Sequence, residues 1–188
     1  MPLTARTLLL TTVAMLAFAA NSLLCRLALQ QASIDPASFG SVRLVSGALV
    51  LWAVVRLRAG PPAVARTDWL AATMLWAYVA CFSFAYLTLS AGTGALILFG
   101  AVQVTMFSVG LRAGERFTAT AWIGLALAVG GLVYLVSPGV AAPTPQGAGL
   151  MAAAGIAWGI YSLRGRGAGD PAAATAGNFL RAAPLALA

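Results

Sequence analysis

Seven apolar runs succeed one another along the chain, over residues 7–29, 37–55, 69–89, 94–111, 119–136, 147–163 and 171–188. Each holds about 17–23 residues, roughly what a helix rising 1.5 Å per residue needs to cross a bilayer core of about 30 Å. The polar residues between the runs are distributed asymmetrically. Arg6, Arg56, Arg58, Arg66, Arg112, Arg116, Arg164 and Arg166 occupy the N-terminal flank and every second connection. The connections 30–36, 90–93 and 137–146 hold no Arg or Lys. Cytoplasmic loops carry the excess of basic residues in multi-pass proteins. The pattern therefore predicts an all-α, polytopic transmembrane helix bundle of a bacterial-type inner (plasma) membrane, with a cytoplasmic N-terminus.

Composition sharpens this. Of the 188 residues 61% are hydrophobic and 8% charged, against about 25% charged in a soluble domain. The formal charge of +7 could suggest nucleic acid. The arginines instead sit at helix ends in alternate connections, so they set topology, and the expected partner is the lipid bilayer. The chain has no His, which removes His-based acid–base chemistry, most metal sites and most catalytic triads. Cys25 and Cys81 both fall inside apolar runs and read as small packing residues. No metal or cofactor is expected. Arg6, an apolar run and Ala17-Phe18-Ala19 imitate a cleavable secretory signal. The run continues to about residue 29, so an uncleaved first helix is the better reading.

Punctuation fits the seven runs. Asp35-Pro36 opens the second, with Pro tolerated in a first helical turn. Gly60-Pro61-Pro62 follows it. The turn over residues 90–94 predicts that the third and fourth helices are antiparallel neighbours. Ser137-Pro138-Gly139, with Pro143 and Pro145, marks a boundary between two units, residues 1–140 and 144–188.

A repeat crosses that boundary. Shifted by 140 positions, Phe18 meets Trp158, Ser22 meets Ser162, Leu23 meets Leu163 and Arg26 meets Arg166. Downstream, Asp35-Pro36 is echoed by Asp170-Pro171, and Arg43 by Arg181. A unit of five helices is odd, so a second copy starts on the opposite side of the membrane. Inverted repeats of this kind build many secondary transporters, with the solute held near the midplane between the copies. The second copy stops at Ala188 within its second helix, which predicts a fragment or a truncated product.

These features resemble the drug/metabolite transporter superfamily, specifically the EamA-type permeases with ten helices in two repeats. The resemblance rests on the first-run pattern with Asp35-Pro36 and Arg43, on Gly114-Glu115-Arg116 and Thr118 followed by Gly124, Gly130 and Gly131, and on Ala157-Trp158-Gly159. It covers essentially the whole chain. Val102-Gln103-Val104 stands where the family commonly has a Pro in the fourth helix. The resemblance implies a permease that exports small metabolites such as amino acids.

Candidate pathway residues are Asn21, Arg43, Tyr78, Gln103, Trp158, Tyr161 and Arg181. Arg43 lies about six residues into its run, a depth of roughly 9 Å. A helix-centre Arg costs on the order of 2.5–3.5 kcal/mol on insertion scales, so it marks a wet cavity or a bundle interior. It either contacts an anionic solute, or snorkels outward or binds backbone carbonyls. Arg181 is its repeat counterpart. Arg26, near a helix end, is expected to snorkel. Asn21, Gln103, Thr105 and Asn178 line a cavity or join helices. Tyr78, Tyr86, Trp158 and Tyr161 could stack on a solute. Gly155 and Gly159 form a GxxxG that permits close packing, and close packing or turns account for nearly all 20 glycines. Glu115 is expected to pair locally with Arg112 or Arg116. No Asp or Glu lies mid-run, so the chain offers no carboxylate for proton coupling.

The sequence thus predicts a secondary transporter of small organic solutes working by alternating access. The alternative is a truncated inactive product or a helix-packing partner. On either view a second chain or a missing C-terminal half could complete the bundle. An intramembrane enzyme lacks its nucleophile–base pair.

Overall fold

The computed structural model describes residues 4–30, 34–58, 68–136 and 142–187. They form seven helices and no strand. These are α1 (Ala5–Gln30), α2 (Pro36–Leu57), α3 (Trp69–Ala85), α4 (Ala91–Arg112), α5 (Ala119–Val136), α6 (Pro145–Arg164) and α7 (Pro171–Leu187). By length and composition α1, α2 and α4 can each cross a membrane; α3 and the segment Ala119–Tyr134 are shorter apolar helices. Gly60-Pro61-Pro62, Arg66 and Ser137-Pro138-Gly139 lie outside the described residues.

Helix starts follow from side chains that satisfy the unpaired N–H groups of a first turn. Asp35 accepts from the amides of Ala37 and Ser38, and Asp170 from those of Ala172 and Ala173. The two Asp-Pro pairs therefore open α2 and α7 with the same geometry. Asp68, Ser90 and Thr144 cap α3, α4 and α6. Gly114, at φ +83°, takes the left-handed conformation that ends α4.

α3 is the centre of the bundle. It packs on α6, α7 and α2, and it carries Leu75, Phe82 and Ala85 fully buried. α6 also lies along α4. A Cβ on Gly155 would stand 2.6 Å from the Leu98 carbonyl oxygen and from Ala101 Cβ, and one on Gly159 would stand 3.0 Å from Thr105. The GxxxG does bring two helix backbones together. Gly47 plays the same part between α2 and α7, where a Cβ would meet the Phe179 ring at 2.5 Å.

Three expectations need correction. α6, and not the partner across the turn, is the chief neighbour of both α3 and α4. Its glycines let it approach α4 more closely than a bulkier face could, while the corner of the turn is filled by the buried Tyr86 ring against Gly94. The third run is helical only to Ala85, and the carbonyls of Tyr86 and Leu87 just beyond it accept from Arg26 of α1. Gly124, Gly130 and Gly131 of α5 meet nothing within 4 Å, so close packing does not explain them.

The connections sort to two ends. At one, Arg58 pairs with Asp170 at 3.8 Å, Arg164 with Asp68 at 2.9 Å and Arg166 with Glu115 at 3.7 Å. Glu115 thus reaches across to the α6–α7 connection instead of pairing beside itself. At the other end the Thr144 and Thr88 hydroxyls are 2.9 Å apart, and Ser41 donates to the Ala186 carbonyl at 2.7 Å. The arginine-bearing connections that are described gather at the first end.

Candidate functional site

α1 touches the bundle along one stripe. Phe18, Asn21, Ser22, Cys25, Arg26 and Leu29 recur at helical spacing, and of these Ser22, Cys25 and Leu29 are buried. Most of the rest of α1 is exposed, including the apolar Leu9, Leu16 and Leu24. Polar contacts in the stripe therefore matter to how α1 is held.

The main one is a three-helix relay. Arg43 on α2 donates from Nη2 to Oδ1 of Asn21 at 3.0 Å. Asn21 in turn donates from Nδ2 to the Tyr78 hydroxyl on α3 at 3.4 Å. The guanidinium carbon lies 5.1 Å from the centre of the Phe82 ring and 5.7 Å from that of Phe39. A cation over an aromatic face gains about 0.5–1 kcal/mol when exposed and ~2 kcal/mol or more when desolvated. Arg43 therefore turns inward to an amide and two rings, and does not snorkel. Its Nη1 is buried and has no hydrogen-bond partner among the described residues.

Aromatic rings extend the group towards α6. Trp158 stands 4.8 Å from Tyr78 and 5.3 Å from Tyr161 between ring centres. Phe18 meets Trp158 edge-on at 6.1 Å and Phe99 at 5.7 Å. Tyr78 also meets Phe82, which meets the buried Tyr86 edge-on. Offset and edge-on pairs of this kind favour fixed ring orientations.

Five of the sequence candidates are therefore gathered: Asn21, Arg43, Tyr78, Trp158 and Tyr161. Gln103 is exposed on α4 and outside the group. Arg181 is half-buried on α7, the helix that packs on α2 and α3. Thr105 spends its hydroxyl on the Ala101 carbonyl of its own helix at 2.7 Å, and Asn178 is buried on α7. Phe39 and Phe82 were not singled out by the sequence, yet spacing could have found them. Phe39 precedes Arg43 by four residues and Phe82 follows Tyr78 by four, which puts each on its partner's face.

Arg26 reaches the connection at the end of α3. Its Nη1 donates to the carbonyls of Tyr86 at 2.6 Å and Leu87 at 3.2 Å. A cation there satisfies carbonyls left open at the end of α3 and faces the negative end of its dipole.

The acids are all peripheral. The Arg164 guanidinium holds the Asp68 carboxyl below the usual carboxylate range. Hydrogen bonds from Ser38, side chain first, lower that of Asp35. Among the described residues no three His, Cys, Asp or Glu side chains are grouped so as to hold a metal ion.

No family model matches the chain, and no solved structure matches it. The chain is similar to an uncharacterized protein of Pseudomonas aeruginosa, PA1977, at 56% identity over 181 residues. That match covers 96% of this chain and 63% of PA1977, so the chain spans less than two thirds of this relative.

Proposed function

We propose that the chain belongs to a secondary membrane transporter that exports small organic solutes, such as amino acids, by alternating access between inverted repeats. It spans a bacterial inner membrane several times, with its N-terminus and arginine-bearing connections in the cytoplasm. The observation that carries this reading is the contact between Phe18 and Trp158, 6.1 Å apart. They occupy equivalent positions in the two copies of the repeat. In a structure with twofold pseudosymmetry, equivalent residues touch only near the axis, and that is where such transporters hold their solute. The Arg43–Asn21–Tyr78 relay lies beside this contact, through Tyr78 and Trp158.

Two further features support it. The repeat counterparts α2 and α7 pack on each other, and both open with the same Asp-Pro cap. The arginine-bearing connections share one end, as positive-inside topology requires. The test is solute flux in vesicles carrying the protein at confirmed orientation. Saturable efflux of labelled amino acids above that of empty vesicles supports the reading. Flux equal to empty vesicles, with the protein inserted, rejects it and favours a helix-packing role.

A further inference from the structure

Arg43 carries a charge that nothing in the bundle balances. The chain has four acids, Asp35, Asp68, Glu115 and Asp170. Three of them pair with Arg164, Arg166 and Arg58 at the arginine-rich end. Asp35 caps α2 eight residues before Arg43, about 12 Å away along the axis. The partners that Arg43 does have are neutral: the Asn21 amide, the neighbouring Tyr78 hydroxyl and the rings of Phe39 and Phe82. Arg43 is half-buried with its Nη1 sealed from water, and a desolvated guanidinium nitrogen without a counter-charge is an unfavourable arrangement unless a ligand completes it.

The hydrogen bonds tell the same story. Within the relay every bond runs in one direction, from Arg43 to Asn21 to Tyr78. Two donors remain at its ends. Arg43 Nη1 has no partner among the described residues. The Tyr78 hydroxyl accepts from Asn21, and its own proton remains to be given. Both residues border the Asn21 amide and the Phe82 ring, so the two donors belong to one cluster. Leftover donors beside a cation call for an acceptor that carries negative charge. A planar carboxylate fits best, since guanidinium binds it through two parallel N–H groups.

We propose that Arg43 and Tyr78 form a recognition site for the carboxylate of a small organic monoanion or zwitterion, whose apolar body lies against the part-exposed ring of Trp158. The proposal rests on the transport reading and deepens it, by making a carboxylate the feature that every solute must carry. A solute bearing only an amine meets like charge at Arg43 and is rejected.

The experiment measures binding separately from flux. Phenylacetate, 2-phenylethanol and phenethylamine share one ring and differ in charge. Each is titrated against the purified wild-type protein in nanodiscs by calorimetry. Phenylacetate should bind at least tenfold more tightly than the alcohol, and phenethylamine should not bind. Arg43→Gln should abolish that preference, and Tyr78→Phe should weaken phenylacetate by a few fold. The wild-type comparison stands even where Arg43→Gln fails to fold. Equal affinity for the three probes, absence of phenylacetate binding, or a preference untouched in folded Arg43→Gln overturns the site. Phenylacetate-selective binding without flux leaves the site standing and removes the transport reading. Amino-acid flux with no carboxylate preference does the reverse.

Discussion

Arg164 donates from Nε to Oδ2 of Asp68 at 2.9 Å, joining residues 96 positions apart. The bond ties the end of α6 to the start of α3, and Asp68 also caps α3 through the Ala71 amide. One carboxylate thus serves a helix cap and a contact between α3 and α6. Both partners are partly exposed, so the pair itself is worth about 0.2–1 kcal/mol. Arg164→Ala should lower stability by that amount. Asp68→Ala should cost more, because it removes a cap worth about 0.5–2 kcal/mol as well. A double-mutant cycle on denaturant unfolding checks both figures.

The same pair sets a pH dependence. The folded-state pKa of Asp68 is lowered, chiefly by Arg164. Its contribution is therefore fully present above the unfolded carboxylate value of about 3.9 and is lost as pH falls through the lower folded value. Melting temperature between pH 7 and 5 should not respond to Asp68→Asn titration differences. Below pH 4 the wild type should lose its advantage over the variant. An advantage that disappears already near pH 6 would contradict the assignment.

Asn21 connects Arg43 to Tyr78, so removing its side chain strands both. Asn21→Leu removes the acceptor of Arg43 Nη2, at a cost of about 1–3 kcal/mol. α1 has few other polar ties, and its loosening should appear as faster hydrogen exchange in α1 than in α3. Equal protection of the two helices in the variant would show that apolar contacts alone hold α1.

Glycines on two helices should behave oppositely. Gly155→Leu drives side-chain atoms into the Leu98 carbonyl and Ala101, where helix backbone cannot yield, and should destabilise by about 1–3 kcal/mol or more. Gly130→Ala in α5 meets open space and should be neutral or stabilising, by up to about 1 kcal/mol. Thermal unfolding of both variants tests the α4–α6 packing directly.

The helices were legible in the sequence because apolar runs and their Asp, Ser and Thr caps are local signals. Asp35-Pro36 marks α2 and Asp170-Pro171 marks α7 to the residue. What packs on what was less legible. Nearly every helix face is apolar, so nothing in the residues of α3 said that α6 would cover it before α4. Gly155 and Gly159 announced a close approach but not the partner. The end of α3 meets Arg26, 60 positions away, a contact that no local signal announces. Within the site, Arg43, Asn21 and Tyr78 stood out as polar groups in apolar runs. Phe39 and Phe82 did not, because an aromatic ring in such a run has many uses.

The most direct measurement of the central claim is counterflow of labelled phenylalanine into vesicles preloaded with unlabelled phenylalanine, for wild type and for folded Arg43→Gln. The account predicts saturable accumulation by the wild type, reduced at least tenfold by the substitution. Accumulation no greater than in protein-free vesicles, or an undiminished rate in Arg43→Gln, would contradict it.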